Sequence, residues 1–380
     1  MKIGVITFHG ADNYGSVLQA YALTEYLNDK GYDAEIIDYY FEHDYRQYKP
    51  FRTYLYSRQP KAFLSDVFFR AEHSYSVHCK RIKNFQNFRK EFLKLSSVRI
   101  GASDGWQEIA SYYDCFICGS DQIWNLNCTN GVCGPYFLDF VSGKRKIAYA
   151  PSMGDYLLLD NDREKMRKAL EEFYAISVRE ASMIQMLEQL NLPISIQTVV
   201  DPTLLLKKED YIQGLKLEKM VSAGKYIFVY ILGGTKAYGN IVNEAKKIAK
   251  QNGLQIKYVF DNNNAMIKNI GFDCSGCNPR EFVSMIYNAE YVLTNSFHAT
   301  VFSIIFKKNF TSYARGKSSG RITELLSSLG LEERFNLESN GCIIAINSYD
   351  KVYQLLANMK IESMIYLENA LNVEGINSNE

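Results

Sequence analysis

At 380 residues the chain exceeds what a single hydrophobic core ordinarily organises, and two domains are expected. Apolar residues at 47% and charged residues at 22% are the balance of a soluble globular protein, and a net charge of +1 excludes a wholesale polyanion binder. No stretch approaches the ~18 uninterrupted apolar residues of a membrane span, and the opening MKIGVITF reads as a strand rather than a signal peptide, so a cytoplasmic location is expected.

Lys2–Thr7 alternates with β-branched residues and predicts the first strand, Val17–Leu27 an apolar helix, and Glu35–Tyr39 a second strand. This βαβ opening predicts a parallel sheet with right-handed crossovers. Gly10, Asn13 and Gly15 fill the first strand-to-helix turn, where free backbone N–H groups favour an anion or a sugar oxygen. A tight turn that needs glycine is the competing reading, since neither a GxGxxG nor a GxxxxGK[ST] pattern is present.

From Glu42 to Arg99 the α/β rhythm stops, and thirteen Lys/Arg stand against five Asp/Glu. Phe85, Phe88 and Phe92 there have helical spacing. Two readings stay open: amphipathic helices packed on their own domain, or a face that meets anionic lipid headgroups of the inner membrane surface or a lipid-linked pyrophosphate. No nucleic-acid module accompanies the segment, and no nucleic-acid partner is expected.

Tyr112–Cys118 predicts a buried strand ending in the polar turn Gly119-Ser120-Asp121-Gln122. Small polar residues at the C-terminal end of a strand suit a ligand crevice in an open sheet. Cys115 and Cys118 alternate faces of that strand. Cys274 and Cys277 have ligand spacing, but structural thiols outweigh a metal site, and none is expected. Lys146–Ala150 is a further strand, and Asp160 with Asp162 reads as a helix cap. Ala175–Val178 feeds Arg179-Glu180, and Thr198–Val200 ends in Asp201-Pro202-Thr203. Arg179 at its junction holds a phosphate or carboxylate, or a salt bridge with Glu180 or Asp201.

The polar segment 207–224 reads as a linker that divides an N-terminal α/β domain, 1–206, from a C-terminal one, 225–349. The second series runs through Tyr226–Leu232, a helix at Ile241–Gln251, Leu254–Phe260 and a helix at Arg280–Asn288. It culminates in YVLTNSFHATVFSIIF, Tyr291–Phe306, a strand, a polar turn and an apolar helix. Ser296 and His298 lie in that turn, and His298 is one of five histidines in the chain. It is either a buried hydrogen-bonding group or an acid–base catalyst. Arg315, Lys317, Ser318, Ser319 and Arg321 follow as an anion-binding candidate, leading into a helix at Ile322–Leu329. Residues 350–380 form a last helix and tail that could brace the first domain. Two open sheets facing one cleft would set Asn13, Gly15, Ser120, Asp121 and Arg179 against Gly233, Ser296, His298, Arg315, Lys317 and Arg321. The fold class is thus α/β, two Rossmann-like domains in a glycosyltransferase-B-like arrangement, and the chemistry is group transfer.

NYGSVLQAYAL, YDCFICGSDQIWN, SVRE with VVDPTLLL, TNSFHATVFSIIF and GKSSGRITELLSSLGL together resemble the polysaccharide pyruvyl transferases, from Met1 to about Leu331. The resemblance implies a glycosyltransferase-B-like fold. It also implies transfer of the enolpyruvyl-derived group of phosphoenolpyruvate onto two sugar hydroxyls, giving a pyruvate ketal and phosphate. It places the motif arginine at Arg179 and the histidine at His298. The chain departs from the family pattern at Ser296, where better-known members carry an arginine, so Arg315, Lys317 or Arg321 would supply that charge. Donor binding is accordingly expected at Gly233, Ser296, Arg315, Lys317, Ser318 and Arg321, and acceptor binding at Asn13, Gly15, Ser120 and Asp121. No metal or cofactor is expected beyond phosphoenolpyruvate as donor; the acceptor would be a sugar or lipid-linked oligosaccharide in capsule, exopolysaccharide or cell-wall glycan assembly. The alternatives are a sugar-nucleotide glycosyltransferase of the same architecture, with Glu281 and Glu324 as poor candidates for a ribose carboxylate, and a non-catalytic glycan-binding relative.

Overall fold

The computed structural model describes residues 1–41, 75–101, 105–220, 224–233, 238–260, 270–315 and 319–372. Two open sheets, each wholly parallel, organise the chain. The first is built from β1 (Lys2–Ile6), β2 (Asp33–Ile36), β3 (Cys115–Cys118), β4 (Arg145–Ala148), β5 (Ala175–Val178) and β6 (Ile196–Thr198), in the order β2-β1-β3-β4-β5-β6. The second is built from β7 (Tyr226–Ile231), β8 (Gln255–Phe260), β9 (Phe272–Asp273), β10 (Tyr291–Thr294) and β11 (Asn309–Ser312), in the order β11-β10-β7-β8-β9. This is the glycosyltransferase-B-like, two-sheet α/β architecture expected from the sequence. Inner strands such as β3, β7 and β10 are buried at every position, as strands covered on both faces must be.

Each sheet has one place where the strand order reverses, between β1 and β3 in the first and between β7 and β10 in the second. Chains leaving adjacent strands at such a point turn to opposite sides and open a crevice at the strands' C-terminal ends. In this molecule the crevices meet. Helix α1 (Tyr14–Asp29), which leaves β1, is buried almost throughout because it packs on both sheets' elements. Its Tyr14 ring stacks 4.3 Å from Phe282 with an interplanar angle of 11°. One apolar core therefore runs from Val5 through Leu18 to Phe302 and Leu367, joining the two halves.

Helix α2 (Tyr75–Phe92) is the described part of the basic, aromatic segment. Phe85 and Phe88 are buried, Asn84 Nδ2 donates to Gly276 O in the second half, and Arg89 pairs with Asp12 at 2.9 Å. This part packs on the protein itself; the remainder, 42–74, and with it the membrane-facing reading, lies outside the described residues.

Three expectations change. The segment 207–224 is not a bare linker: α3 (Pro202–Leu205) is followed by a helix at Lys208–Gly214, and Tyr211, Leu215 and Leu217 are buried. Lys207, Glu209, Lys216 and Glu218 are exposed, while Tyr211, Leu215 and Leu217 between them complete the core. Asp160 is not a cap; Leu159 holds that position, and Asp160 and Asp162 sit in the first turn, with Asp162 accepting from Tyr156 OH. The short strands β9 and β11 were not read from the sequence. Later elements include α4 (Pro279–Asn288), α5 (Phe297–Ile305), α6 (Gly320–Ser328) and α7 (Asp350–Leu371). Helix α7 starts on the second half, where Tyr353 OH donates to Ile305 O. It ends on the first, where Ser363 Oγ accepts from Val200 N–H and Tyr366 OH donates to Ala148 O. No helix among the described residues is long and apolar enough to cross a membrane.

Candidate active site

At the turn after β1, Asn13 caps α1: its Oδ1 accepts from Gly15 N–H at 2.9 Å and from Ser16 N–H at 3.3 Å. The cap is local chemistry, since a helix start leaves its first N–H groups unsatisfied. It also corrects the expectation of free N–H groups for a ligand, because two of them are taken by the turn's own side chain. Ser120 is corrected as well. It is fully buried, its hydroxyl donates to Ala150 O at 2.8 Å, and its N–H donates to Gln19 Oε1, so it braces the β1/β3 crevice rather than lining it. Asp121 keeps a polar role. Its Oδ2 accepts from Ser16 Oγ at 2.6 Å, which ties the β3 turn to the start of α1.

Across from this turn stands His298, in the first turn of α5. The site is built on contact between the halves: a Cβ added at Gly15 would lie 2.1 Å from His298 Nδ1. Only glycine allows the helix start to approach the imidazole so closely. The other ring nitrogen, Nε2, is buried, lies 3.5 Å from Asp201 Oδ2, and makes no hydrogen bond. Ser296, just before α5, is buried and its Oγ caps the helix by accepting from Ala299 N–H, which accounts for a serine at that position. A donor-binding role is not needed to explain it. Asn295 joins β10 to β7, accepting from Leu232 N–H at 2.7 Å and donating to Leu232 O at 2.9 Å, and so fixes the second crevice.

Arg179 leaves β5 into the same space and is 7% exposed. Its two sequence readings, salt bridge and anion site, are not exclusive. Nε donates to Glu180 and Nη1 to Asp201 Oδ2, each at 2.7 Å, while Nη2 is buried without a hydrogen-bond partner. A buried, unsatisfied guanidinium nitrogen is costly, and an anionic ligand would satisfy it. Burial pushes the Arg179 guanidinium down, but the Glu180, Asp201 and Asp121 carboxylates outweigh that and hold it above the ordinary arginine range.

Asp201 was named in the sequence only as a salt-bridge partner for Arg179, and the structure gives it a larger place. It follows β6, is 1% exposed, and heads α3, accepting from Thr203 N–H and from Thr203 Oγ on its Oδ1. Burial would raise its carboxyl, but the charges of His298 and Arg179 and the Thr203 hydroxyl hold it well below the usual carboxylate range. The only signal in the sequence was the D-P-T spelling of a capped turn at a strand end.

A second arginine completes the group. Arg321, half-buried in α6, lies 6.0 Å from the Phe297 ring centroid, and Arg179 lies 4.6 Å from the same ring. Burial, then the Arg179 charge, then that of Arg315 push Arg321 below its ordinary range; Glu180 and Asp121 oppose them. Arg315 packs over Gly233, whose φ of +84° requires glycine; a Cβ there would lie 3.4 Å from Arg315 Nε. Lys317 and Ser318 lie outside the described residues. The structure thus gathers Gly15, Asp121, Arg179, His298, Arg315, Arg321 and Gly233, adds Asp201, Glu180 and Phe297, and shows Asn13, Ser120 and Ser296 bonded within the surrounding frame. Among the described residues no group of three or more His, Cys, Asp or Glu side chains has the geometry to hold a metal.

The family model for polysaccharide pyruvyl transferase matches residues 13–317. No curated protein matches the sequence. Among solved structures, the UDP-N-acetylglucosamine 2-epimerase from Rickettsia bellii is similar at 11% identity and TM-score 0.43, covering 98% of this chain and 99% of that one. The UDP-GlcNAc 2-epimerase from Methanocaldococcus jannaschii gives 11% and 0.49, with 95% and 93% covered. The Arabidopsis thaliana protein UGT89C1, complexed with UDP-L-rhamnose, gives 9% and 0.48, with 96% and 94% covered.

Proposed function

The chain belongs to the polysaccharide pyruvyl transferase family, and from that premise we propose that it moves the enolpyruvyl-derived group of phosphoenolpyruvate onto two hydroxyls of one sugar. The observation that carries this reading is the buried, unpartnered Nη2 of Arg179 beside Arg321 and His298 at the meeting of the two crevices. Phosphoenolpyruvate bears a phosphate and a carboxylate, and desolvating both calls for more than one cation, with the planar fork of arginine best matched to either. Arg315 and Arg321 supply charge where Ser296 supplies none.

The reaction balances without a cofactor. One hydroxyl oxygen bonds to C2 of the donor while the C3 methylene takes up a proton; the second hydroxyl oxygen then bonds to C2 as the C2–O bond to phosphate breaks. Of the two hydroxyl protons, one is made up for at C3 and the other leaves with phosphate. His298 serves as the acid–base group for these transfers, and Arg179 and Arg321 stabilise charge on the departing phosphate. The acceptor, a sugar or lipid-linked oligosaccharide for a capsule, exopolysaccharide or cell-wall glycan, lies along Gly15 and Asp121. We place the reaction in the cytoplasm, with the acceptor's lipid bringing the protein to the inner membrane surface.

A nucleotide-sugar donor fits less well. Both carboxylates considered for a ribose are occupied: Glu281 accepts from Asn278 N–H at the start of α4, and Glu324 accepts from Ala181 N–H and Ser182 Oγ. Incubation with phosphoenolpyruvate or with sugar nucleotides over one acceptor panel separates the readings. Acceptor-dependent release of inorganic phosphate supports ours; release of nucleoside diphosphate overturns it.

A further inference from the structure

We infer that Asp201 is a positioning residue that fixes which nitrogen of His298 carries the proton, holding Nε2–H toward itself and leaving Nδ1 as the nitrogen that exchanges protons with the substrates. The inference rests on the reading of His298 as the acid–base group. The two carboxylate oxygens of Asp201 divide their work. Oδ1 is held by Thr203, through its N–H at 3.0 Å and its hydroxyl at 2.6 Å. Oδ2 takes the Arg179 fork at 2.7 Å and faces His298 Nε2 at 3.5 Å. The carboxylate cannot rotate away, because Thr203 pins one oxygen and Arg179 the other.

The two ring nitrogens of His298 then have unlike surroundings. Nε2 is buried and has no hydrogen-bond acceptor other than the Asp201 carboxylate within reach. A closure of about half an ångström would make that approach an ordinary charge-assisted hydrogen bond. A lone pair on Nε2 would instead face a carboxylate across that gap, which is repulsive. Nδ1 lies against Gly15, at the head of α1. With the proton on Nε2, Nδ1 keeps its lone pair and is the nitrogen left for proton exchange. A carboxylate behind an imidazole sets its tautomer and orientation in this way in other acid–base sites. The same carboxylate joins the two halves, since Asp201 follows β6 of the first sheet and His298 follows β10 of the second. The acid–base group is therefore aligned only when the halves are together.

The test is a long-range proton–nitrogen correlation spectrum of the full-length protein labelled with ¹⁵N-histidine, recorded with the imidazoles neutral. Comparison with His298→Gln assigns the signal among five histidines. The expected pattern for His298 is the Nε2–H tautomer in the wild type and a shift toward Nδ1–H in Asp201→Asn. Turnover of Asp201→Asn is expected to fall roughly 100-fold or more, with Asp201→Glu recovering part of it. A wild-type spectrum showing Nδ1–H overturns the inference, as does Asp201→Asn with both tautomer and turnover unchanged. Should Asp201→Asn fail to fold, the wild-type spectrum decides alone. The spectrum requires neither donor nor acceptor, so failure of the wild type to form a ketal would strike the proposed reaction and leave the tautomer assignment standing.

Discussion

Gly15 and His298 touch across the boundary between the two sheets, so closely that a methyl at position 15 would stand 2.1 Å from the imidazole Nδ1. The head of α1 and the head of α5 thereby share one small volume, which is also where the two strand-order reversals meet. Gly15→Ala should force the ring or the helix to move, at a cost of about 1–3 kcal/mol of stability. Because the displaced group is the acid–base candidate, turnover should drop by more than the stability loss accounts for. Urea unfolding together with steady-state rates checks both; a folded variant with unchanged turnover would remove the close approach from the account.

Arg179 sits buried between Glu180 and Asp201, and its removal leaves two buried carboxylates without their common partner. Arg179→Gln is expected to destabilise the protein by about 3–5 kcal/mol, the usual cost of breaking a buried ion pair from one side. Arg179→Lys should keep the charge but lose the fork. Its donor affinity should therefore stay well below that of the wild type, as read by titration with phosphoenolpyruvate.

Arg321 is the more exposed partner and has no such structural duty. Arg321→Gln should raise the donor KM by roughly 10- to 100-fold, the worth of one hydrogen bond to a charged group, while thermal stability hardly changes. An unchanged KM would move the donor's anionic end away from α6.

The pH dependence of stability follows from Asp201. Its folded-state carboxyl is held below the ordinary value near ~3.9, so its stabilisation is complete above that unfolded value. It is lost as pH falls toward the lower folded one. Acid unfolding monitored by circular dichroism should therefore weaken in Asp201→Asn relative to the wild type below about pH 4. Lys360 gives the opposite limb. Burial brings its amine down to about 8, so the unfolded chain binds more protons between that value and the ordinary one, and stability attributable to this group rises with pH across that window. Lys360→Met should lose that rise, as compared by urea midpoints at pH 8 and pH 10.

Much of the arrangement could be read before the structure, because parallel sheets write themselves as short apolar runs ending in small polar turns. β5 and β7 lie within a residue of the apolar runs Ala175–Val178 and Tyr226–Leu232, and His298 and Arg179 stand at strand ends as expected. The elements that the sequence does not signal have little periodicity. β9 has two residues and β11 four, and both take their order from neighbours. Tyr211 is buried in a segment whose composition is that of a linker, because one face of a short helix suffices to complete the core. Asn13, Ser120 and Ser296 read as ligand groups in strand-end turns, and each also bonds a backbone group, Gly15 N–H, Ala150 O and Ala299 N–H respectively, which sequence alone does not reveal. Asp201 reads as a turn residue and a salt-bridge partner for Arg179, while its full importance comes from two residues that lie 22 positions before it and 97 after it in the chain.

The central claim is that His298 mediates ketal formation from phosphoenolpyruvate. Mass spectrometry of sugar acceptors after incubation with donor and either wild type or His298→Ala tests it most directly. The expected result is a product heavier than its acceptor by pyruvate less one water with the wild type, and none with a variant whose circular dichroism is unchanged. Product formation by His298→Ala at a rate near that of the wild type would contradict the account.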